Sequence, residues 1–247
     1  MIKKDGKFGL VKSDGTLQLT VIYDFIDFDM AVDDGFGDII LNGKYGFIDN
    51  EGNIKSRRWY DEISLDYLQY YDMAPVRKDG KYGIVDKEGK IVFPVIFDYM
   101  PDIETIIERS SAIFLRSNSK FGVYSVEGEE LVAPKYDWIT DEGGDFVNYF
   151  LIENDKKRGL LDKNFVEIVP CKYAHIDILS LERGEEFAVV SLNEKMGLID
   201  KYGKEILPCE YNHLEVISSE DEGIIEVYSK ERTYQINKFG KEINSTE

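Results

Sequence analysis

All the cysteine and histidine residues of the chain lie in two matching segments, P-C-K-Y-A-H and P-C-E-Y-N-H. The first holds Cys171 and His175 and the second holds Cys209 and His213, so a Cys-x3-His spacing occurs twice, 38 residues apart. Two thiolates and two imidazoles are a ligand set that zinc accepts. Equivalent positions in adjacent repeats point in parallel, however, and propeller blades would hold them too far apart for one ion. We therefore predict a duplicated segment without metal or cofactor, although an open stack of repeats would bring the four residues closer.

Catalytic groups in a recognisable arrangement are missing from the sequence. Neither histidine lies beside a serine or cysteine in a nucleophile motif, and no glycine-rich phosphate-binding loop occurs. A glycosidase would need two carboxylates, but nothing singles out a pair among 48 acidic residues. We predict that the protein is not an enzyme, with a hydrolase as the less favoured alternative.

The charge of the chain is strongly negative, with 48 Asp and Glu against 30 Lys and Arg and a net charge of −18. Such a chain repels phosphate backbones and anionic headgroups, which argues against nucleic acid and membrane partners. A basic protein is the complementary partner, and solubility alone is the competing explanation. The charged start MIKKDGKFGLV and the lack of an 18-residue apolar window lead us to expect a cytoplasmic protein, in which two cysteines form no disulfide framework.

A repeat with steps of 37 to 39 residues positions these groups. Six segments align, among them KFGLVKSDG, KYGFIDNEG and KMGLIDKYG, and RTYQINKFG follows as a seventh. An aromatic residue stands 14 residues after each of six glycines, and we call this pattern the glycine–aromatic frame. The glycines are Gly9, Gly46, Gly83, Gly122, Gly159 and Gly197, with Tyr234 in the seventh segment; the aromatics are Tyr23, Tyr60, Phe97, Tyr136, Tyr173 and Tyr211.

The constant stretch from glycine to aromatic predicts a β-hairpin framework, and the variable stretch from aromatic to next glycine, here called the connector, predicts a loop. Short apolar runs flank a turn whose glycine supplies positive φ. Pro94, Pro170 and Pro208 predict strand ends or sheet edges. The aspartate after the aromatic is predicted to cap a turn as part of the framework. The turn glycines are Gly15, Gly52, Gly89, Gly128, Gly203 and Gly240, and the aspartates are Asp24, Asp61, Asp98 and Asp137.

These recurring motifs, namely the FG/YG dipeptide, the D-K-x-G turn and the P-x-x-Y-D segment, resemble those of the WG-repeat family over about residues 6 to 243. The tryptophan of the family name is replaced here, and Phe165 takes the place of the second glycine in the fifth repeat. The resemblance implies an all-β repeat structure and no particular reaction. The replacing residues are Phe8, Tyr45, Tyr82, Phe121, Arg158 and Met196.

We expect an all-β fold of one repeat domain, residues 1–247, with four short antiparallel strands in each repeat. Six units and a terminal hairpin would form a propeller-like structure, or alternatively an open β-solenoid. Only residues 102–109 offer a helical turn. Counted from glycine to glycine, the units lie near 6–41, 43–78, 80–117, 119–153, 156–192 and 194–230, with the hairpin at 232–243.

The connectors contain acidic segments such as DFDMAVDDGFGD and ISSEDEGI. Insertions at equivalent positions of a repeat emerge on one face, so their carboxylates are predicted to line an acidic edge that binds the partner. The residues of this predicted edge are Asp33, Asp34, Asp141, Glu142, Asp145, Glu185, Glu186, Glu220, Asp221 and Glu222.

The function that best fits these features is a non-enzymatic, protein-binding repeat scaffold with an acidic face for a basic partner. Its most concrete form is an immunity or inhibitor protein against a basic toxin. The alternatives are a carbohydrate- or small-ligand-binding repeat protein and a structural module of a larger protein. The sequence leaves the identity of the partner and the oligomeric state open.

Overall fold

The computed structural model describes residues 1–101, 103–108, 112–140, 149–180, 186–218, 224–229, 232–237 and 239–246. These residues form seven small antiparallel sheets with sequential strand order, which confirms the all-β prediction. The chain divides into two compact units, Met1–Lys135 and Tyr136–Glu247. Sheets of the same kind build both units.

The first unit holds four sheets, each of three or four strands. Sheet 1 contains β1 (Ile2–Lys4), β2 (Lys7–Val11) and β3 (Leu17–Tyr23); sheet 2 contains β4 (Phe25–Ile26), β5 (Phe36–Leu41) and β6 (Lys44–Asp49). Sheet 3 contains β7 (Glu62–Ile63), β8 (Met73–Lys78), β9 (Lys81–Asp86) and β10 (Ile91–Phe97); sheet 4 contains β11 (Ile113–Ser117), β12 (Lys120–Tyr124) and β13 (Glu130–Tyr136).

The second unit holds three sheets of four strands each among the residues that the structure describes. Sheet 5 contains β14 (Trp138–Thr140), β15 (Tyr149–Asn154), β16 (Lys157–Asp162) and β17 (Glu167–Tyr173). Sheet 6 contains β18 (His175–Ser180), β19 (Glu186–Leu192), β20 (Lys195–Asp200) and β21 (Glu205–Tyr211). Sheet 7 contains β22 (His213–Ser218), β23 (Ile224–Tyr228), β24 (Thr233–Ile236) and β25 (Glu242–Thr246).

Sheets 2, 3, 5, 6 and 7 each begin two positions after an aromatic of the frame, whereas the repeat read from the sequence begins at a glycine. A single residue separates the sheets at most of these points, as Asp24 does between β3 and β4. Its backbone N–H donates to the carbonyl of Ile40 in the next sheet at 2.8 Å. The terminal hairpin, β24 and β25, pairs with β23 and so completes sheet 7. Hydrogen bonding therefore groups each connector's strands with the framework hairpin that follows.

The turns of the framework have the predicted glycine geometry. The turn glycines have φ between 68° and 85°, which confirms their assignment. Phe165 adopts the same left-handed region, with φ of 62°. In the second to seventh repeats, the side chain of the residue that opens the turn accepts two backbone N–H bonds, as Asp86 Oδ1 does from Glu88 and Lys90 at 2.9 and 2.8 Å. The turn is thus fixed by an acceptor at its start and a left-handed residue near its end.

A second family of turns joins the connector to the framework strand. These are two-residue turns with positive φ at both positions, a geometry that matches the twist of antiparallel strands. Asn-Gly and Asp-Gly pairs adopt it with little strain. The pairs are Asp5-Gly6, Asn42-Gly43, Asp79-Gly80, Asn118-Ser119, Asp155-Lys156 and Asn193-Glu194.

Steric fit explains the glycine–aromatic frame. A Cβ added to Gly83 would lie 2.7 Å from the carbonyl oxygen of Phe93 on the adjacent strand. The pairing of β10 with β9 shifts register on both sides of Phe93. Strand β10 is the edge strand of sheet 3 and contains Pro94, which confirms the edge prediction. Phe97 is fully buried, and five of the six frame aromatics are less than 9% exposed; Tyr211 is partly buried. Glycine admits the bulged strand, and the aromatic fills the core beneath it.

Three short helices occur in the connectors of the first unit: α1 (Phe28–Asp34), α2 (Asp66–Tyr71) and α3 (Ile103–Glu108). Only α3 was predicted, and the prediction of loops at the other two places was wrong. Helices of six or seven residues span less than two turns, which is too short to give a periodic sequence signal. Each helix buries at least one apolar residue, namely Ala31, Leu68 and Ile103. No helix in the described part of the chain is long and apolar enough to cross a membrane.

Candidate functional site

The aspartates that follow the frame aromatics make framework contacts. In the first unit, one oxygen of each carboxylate accepts from a lysine ammonium and the other accepts from a backbone N–H of the next two-residue turn. These contacts lower the pKa of all three carboxyls, and the lysine bond is the largest cause. The pairs are Lys7–Asp24, Lys44–Asp61 and Lys81–Asp98, and the turn donors are Gly43, Asp79 and Ser119 at 3.1, 2.8 and 2.8 Å. The framework interpretation of these aspartates is confirmed.

In the second unit, Asp137 keeps the aspartate and its Oδ2 accepts from the Asp155 N–H at 2.8 Å, whereas the next two positions keep only the backbone geometry. Ala174 and Asn212 stand where the first unit has aspartate. The N–H of Ala174 still donates to the carbonyl of Ser191 at 2.8 Å, as Asp24 does in its own sheet. Lys195 donates to Asn212 instead of to a carboxylate. The backbone geometry of the frame therefore does not require the lysine–aspartate pair.

The two cysteines and two histidines make separate contacts. The thiols of Cys171 and Cys209 lie against the carbonyls of Ile152 and Val190 at 3.8 and 4.0 Å, and burial raises the pKa of the Cys209 thiol. His175 Nδ1 lies 3.2 Å from Arg158 Nη1, and the centroid of the His213 ring lies 5.3 Å from that of the Tyr228 ring. Within the described ranges, no three Cys, His, Asp or Glu side chains are grouped so that they could hold a metal ion.

The predicted acidic edge falls on parts of the chain whose side chains the structure does not describe. Asp33 and Asp34 lie in α1 and Glu186 lies in β19, with their side chains outside the described set. The other seven residues lie outside the described residues altogether: Asp141, Glu142, Asp145, Glu185, Glu220, Asp221 and Glu222. The acidic edge therefore stays a prediction.

A different group of connector carboxylates is described, and the sequence did not single it out. Asp38 in β5 is partly buried, and its Oδ1 has no hydrogen-bond partner. Burial, and then the negative charges of Asp27 and Asp66, raise the pKa of Asp38 to about 6. Asp27 caps α1 by accepting from the N–H of Met30 at 3.0 Å, and Asp66 begins α2. Negative charge thus accumulates where the first two helical connectors lie.

One pocket of about 280 Å³ lies beside the third connector, in the first unit. Its walls are mostly apolar, and a single guanidinium, from Arg116, borders it. The exposed ring of Tyr99 stands at its rim. The sequence analysis missed this pocket because its residues come from a connector and two strands. The lining residues are Tyr99, Pro101, Ile113, Phe114, Leu115, Arg116 and Phe121.

The family model described as WG containing repeat matches residues 45–82, 82–104 and 196–227. These three matches confirm the resemblance seen in the sequence at those positions. No curated protein matches the chain.

Solved structures share only a distant likeness with this chain. A eukaryotic initiation factor is 8% identical with a TM-score of 0.31, over 91% of this chain and 65% of its own, so this chain spans less than two thirds of that protein. Hsv2p of Kluyveromyces lactis is 6% identical (TM-score 0.27; 82% and 71% covered), and a streptogramin B lyase is 15% identical (TM-score 0.26; 87% and 80% covered). Likeness of this size carries no argument about function.

Proposed function

We propose that this chain is a non-enzymatic repeat scaffold that binds a basic protein through the carboxylates of its connectors. The observation that supports it best is the negative charge gathered around Asp38. The described framework aspartates of the first unit are paired with lysines, whereas burial and the charges of Asp27 and Asp66 raise the cost of ionising Asp38. An electrostatic field of this kind speeds association with a cationic surface and favours it over neutral partners.

The segment composition supports the same proposal. DFDMAVDDGFGD at residues 27–38 holds five aspartates and no basic residue, and TDEGGDF and ISSEDEGI are also acidic without a basic residue. Residues of the predicted acidic edge, including Asp33, Asp34, Asp141 and Glu142, belong to these segments. The WG-repeat matches fit a binding scaffold, and the specific role as an immunity or inhibitor protein against a basic toxin is part of the proposal.

The proposal has further parts that rest on composition. A net charge of −18 disfavours nucleic acid and anionic membranes as partners, and a cytoplasmic location is part of the same proposal. No catalysis is proposed.

We also propose that the sheets are arranged as in a propeller, with an open stack as the alternative. The shared strand order of the seven described sheets supports equivalent blades. Solution X-ray scattering separates the two arrangements. A compact chain of this length has a radius of gyration of about 18 Å, and a markedly larger value would favour the stack.

A matched pair of variants tests the binding proposal. One variant neutralises four connector carboxylates, through Asp33→Asn, Asp34→Asn, Asp141→Asn and Glu142→Gln. The control neutralises four exposed carboxylates elsewhere, through Glu127→Gln, Glu129→Gln, Glu205→Gln and Glu210→Gln. Both change the net charge equally, so a difference between them reports position.

Each protein is used to capture partners from a lysate of the native host at low and at high salt. We expect the unmodified chain and the control to retain a basic protein at low salt only, and the connector variant to retain much less. Capture that is indifferent to salt, or equal for the two variants, would contradict the proposal.

A further inference from the structure

The arginine beside the pocket differs from its equivalent one repeat earlier. In sheet 3, Arg77 pairs across the strands with Glu62. Its Nε donates to Glu62 Oε2 at 2.9 Å, and its Nη2 donates to Oε1, which makes a bidentate ion pair. Through this pair, Glu62 raises the pKa of the arginine. The guanidinium of Arg77 therefore already has the carboxylate that suits its geometry.

The next repeat lacks that carboxylate. Tyr99 stands two residues after the frame aromatic Phe97, where Glu62 follows Tyr60, and Arg116 stands six residues before its frame glycine, as Arg77 does. The Nε of Arg116 lies 3.6 Å from Asp98 Oδ2. Asp98 also binds the Lys81 ammonium and the N–H of Ser119. Two cations, Lys81 and Arg116, thus share the carboxylate of Asp98.

The pocket lies beside Tyr99, the residue that replaces the glutamate in this repeat. It has a volume of about 280 Å³ and is bordered by Arg116 on one side and the Tyr99 ring on another. The remaining wall is apolar and includes Leu115 and Pro101. An apolar cleft with one cationic group selects ligands with a matching anion at one end. A carboxylate is the anion whose two oxygens match the planar fork of a guanidinium.

We propose that this pocket binds a carboxylate that carries an aromatic or apolar group, with the carboxylate on Arg116 and the apolar group against Tyr99 and Pro101. The ligand is either a free organic acid or the C-terminal residue of a peptide, because both present the same chemistry. This site is independent of the acidic connector surface, and it takes a ligand of the opposite charge.

Binding of phenylacetate and phenylacetamide to the full chain, measured by chemical-shift changes in NMR titrations, tests the proposal. The two probes share the ring and differ in charge. We expect phenylacetate to bind about tenfold more tightly, as a charge-assisted hydrogen bond allows. Arg116→Gln should remove this preference, and Arg77→Gln, the matched control, should leave it unchanged.

A third variant and a peptide probe complete the test. Tyr99→Glu restores the partner found at Glu62 and should block the site while the spectrum of the folded chain is retained. A short peptide ending in Phe, compared with its C-terminal amide, shows which source binds more tightly. Equal binding of acid and amide, a preference that survives Arg116→Gln, or no binding by any probe would overturn the proposal.

Discussion

Two sets of aspartates lie in the first unit and have opposite electrostatic properties. In the framework, Asp24, Asp61 and Asp98 are bonded to lysines and turn amides, which lowers the pKa of each carboxyl. In the connectors, Asp38 has an oxygen without a hydrogen-bond partner, and its pKa is raised to about 6. The same residue type therefore stabilises the fold in one region and opposes it in the other. A cation bound near Asp38 would relieve the cost of its ionisation.

The largest expected difference between framework and connector lies in their glycines. Gly83→Ala should destabilise the chain by about 3 kcal/mol, because the new Cβ would overlap the Phe93 carbonyl. Gly43→Ala, in the connector turn, should cost only about 1 kcal/mol, because it meets positive φ but open space. Chemical denaturation gives both values. Equal losses would show that steric fit does not distinguish the two regions.

The frame tyrosines differ in whether their hydroxyl groups are hydrogen-bonded. The Tyr136 hydroxyl donates to Glu167, whereas the buried Tyr60 hydroxyl has no hydrogen-bond partner. Tyr136→Phe should therefore lower the free energy of unfolding by about 1–1.5 kcal/mol, and Tyr60→Phe should leave it unchanged or raise it. Thermal unfolding of the two variants checks this. The ring, and not the hydroxyl, is the element that the repeats share. If Tyr60→Phe lowered the free energy of unfolding as much as Tyr136→Phe, that assignment would be wrong.

Asp38→Asn tests the connector side. The folded-state pKa of Asp38 lies above its unfolded value, so its ionisation destabilises the fold and stability falls as pH rises from about 4 through 6. The asparagine variant should gain about 1 kcal/mol at pH 7, after allowance for solvent screening. The gain should vanish near pH 4. Denaturant midpoints across this pH range decide it, and a constant difference would contradict the titration.

The smallest expected effect concerns the lysine–aspartate pairs. Because the pKa of Asp61 is lowered on folding, its stabilisation is present at neutral pH and is lost as pH falls through the folded-state pKa. Asp61→Asn should slightly lower the denaturation midpoint at pH 7 and not in strong acid. Ala174→Asp, which restores a carboxylate 17 residues after Lys157, should slightly raise it. Opposite signs at neutral pH would show that the pairs do not stabilise the framework.

The frame could be predicted from sequence because it depends on local steric requirements repeated at fixed spacing. Gly83 and Phe97, or Asp86 and Gly89, recur together, and each has one stereochemical reason to do so. Sheet boundaries could not be read in the same way, because the repeat shows only its period and not the point where hydrogen bonding changes partner. Asp24 marks that point only once the bond from its N–H to Ile40 is known.

The connectors could not be predicted because they vary in length and owe their structure to tertiary contacts. Helix α2 has too few residues for a periodic pattern, and burial of Leu68 stabilises it. The pocket at Arg116 becomes visible only when Tyr99 is compared with Glu62 and the strand pairing is known. The acidic edge proposed from sequence, from Asp33 to Glu222, remains a prediction about composition.

The separation between framework and connector carboxylates is tested most directly by titrating them individually, through the side-chain carboxyl carbon resonances in ¹³C NMR. The account predicts that Asp24, Asp61 and Asp98 titrate below the ordinary aspartate range and that Asp38 titrates near pH 6. If all four titrate together, or if Asp38 is the most acidic of them, the division of charge on which the proposed function rests is wrong.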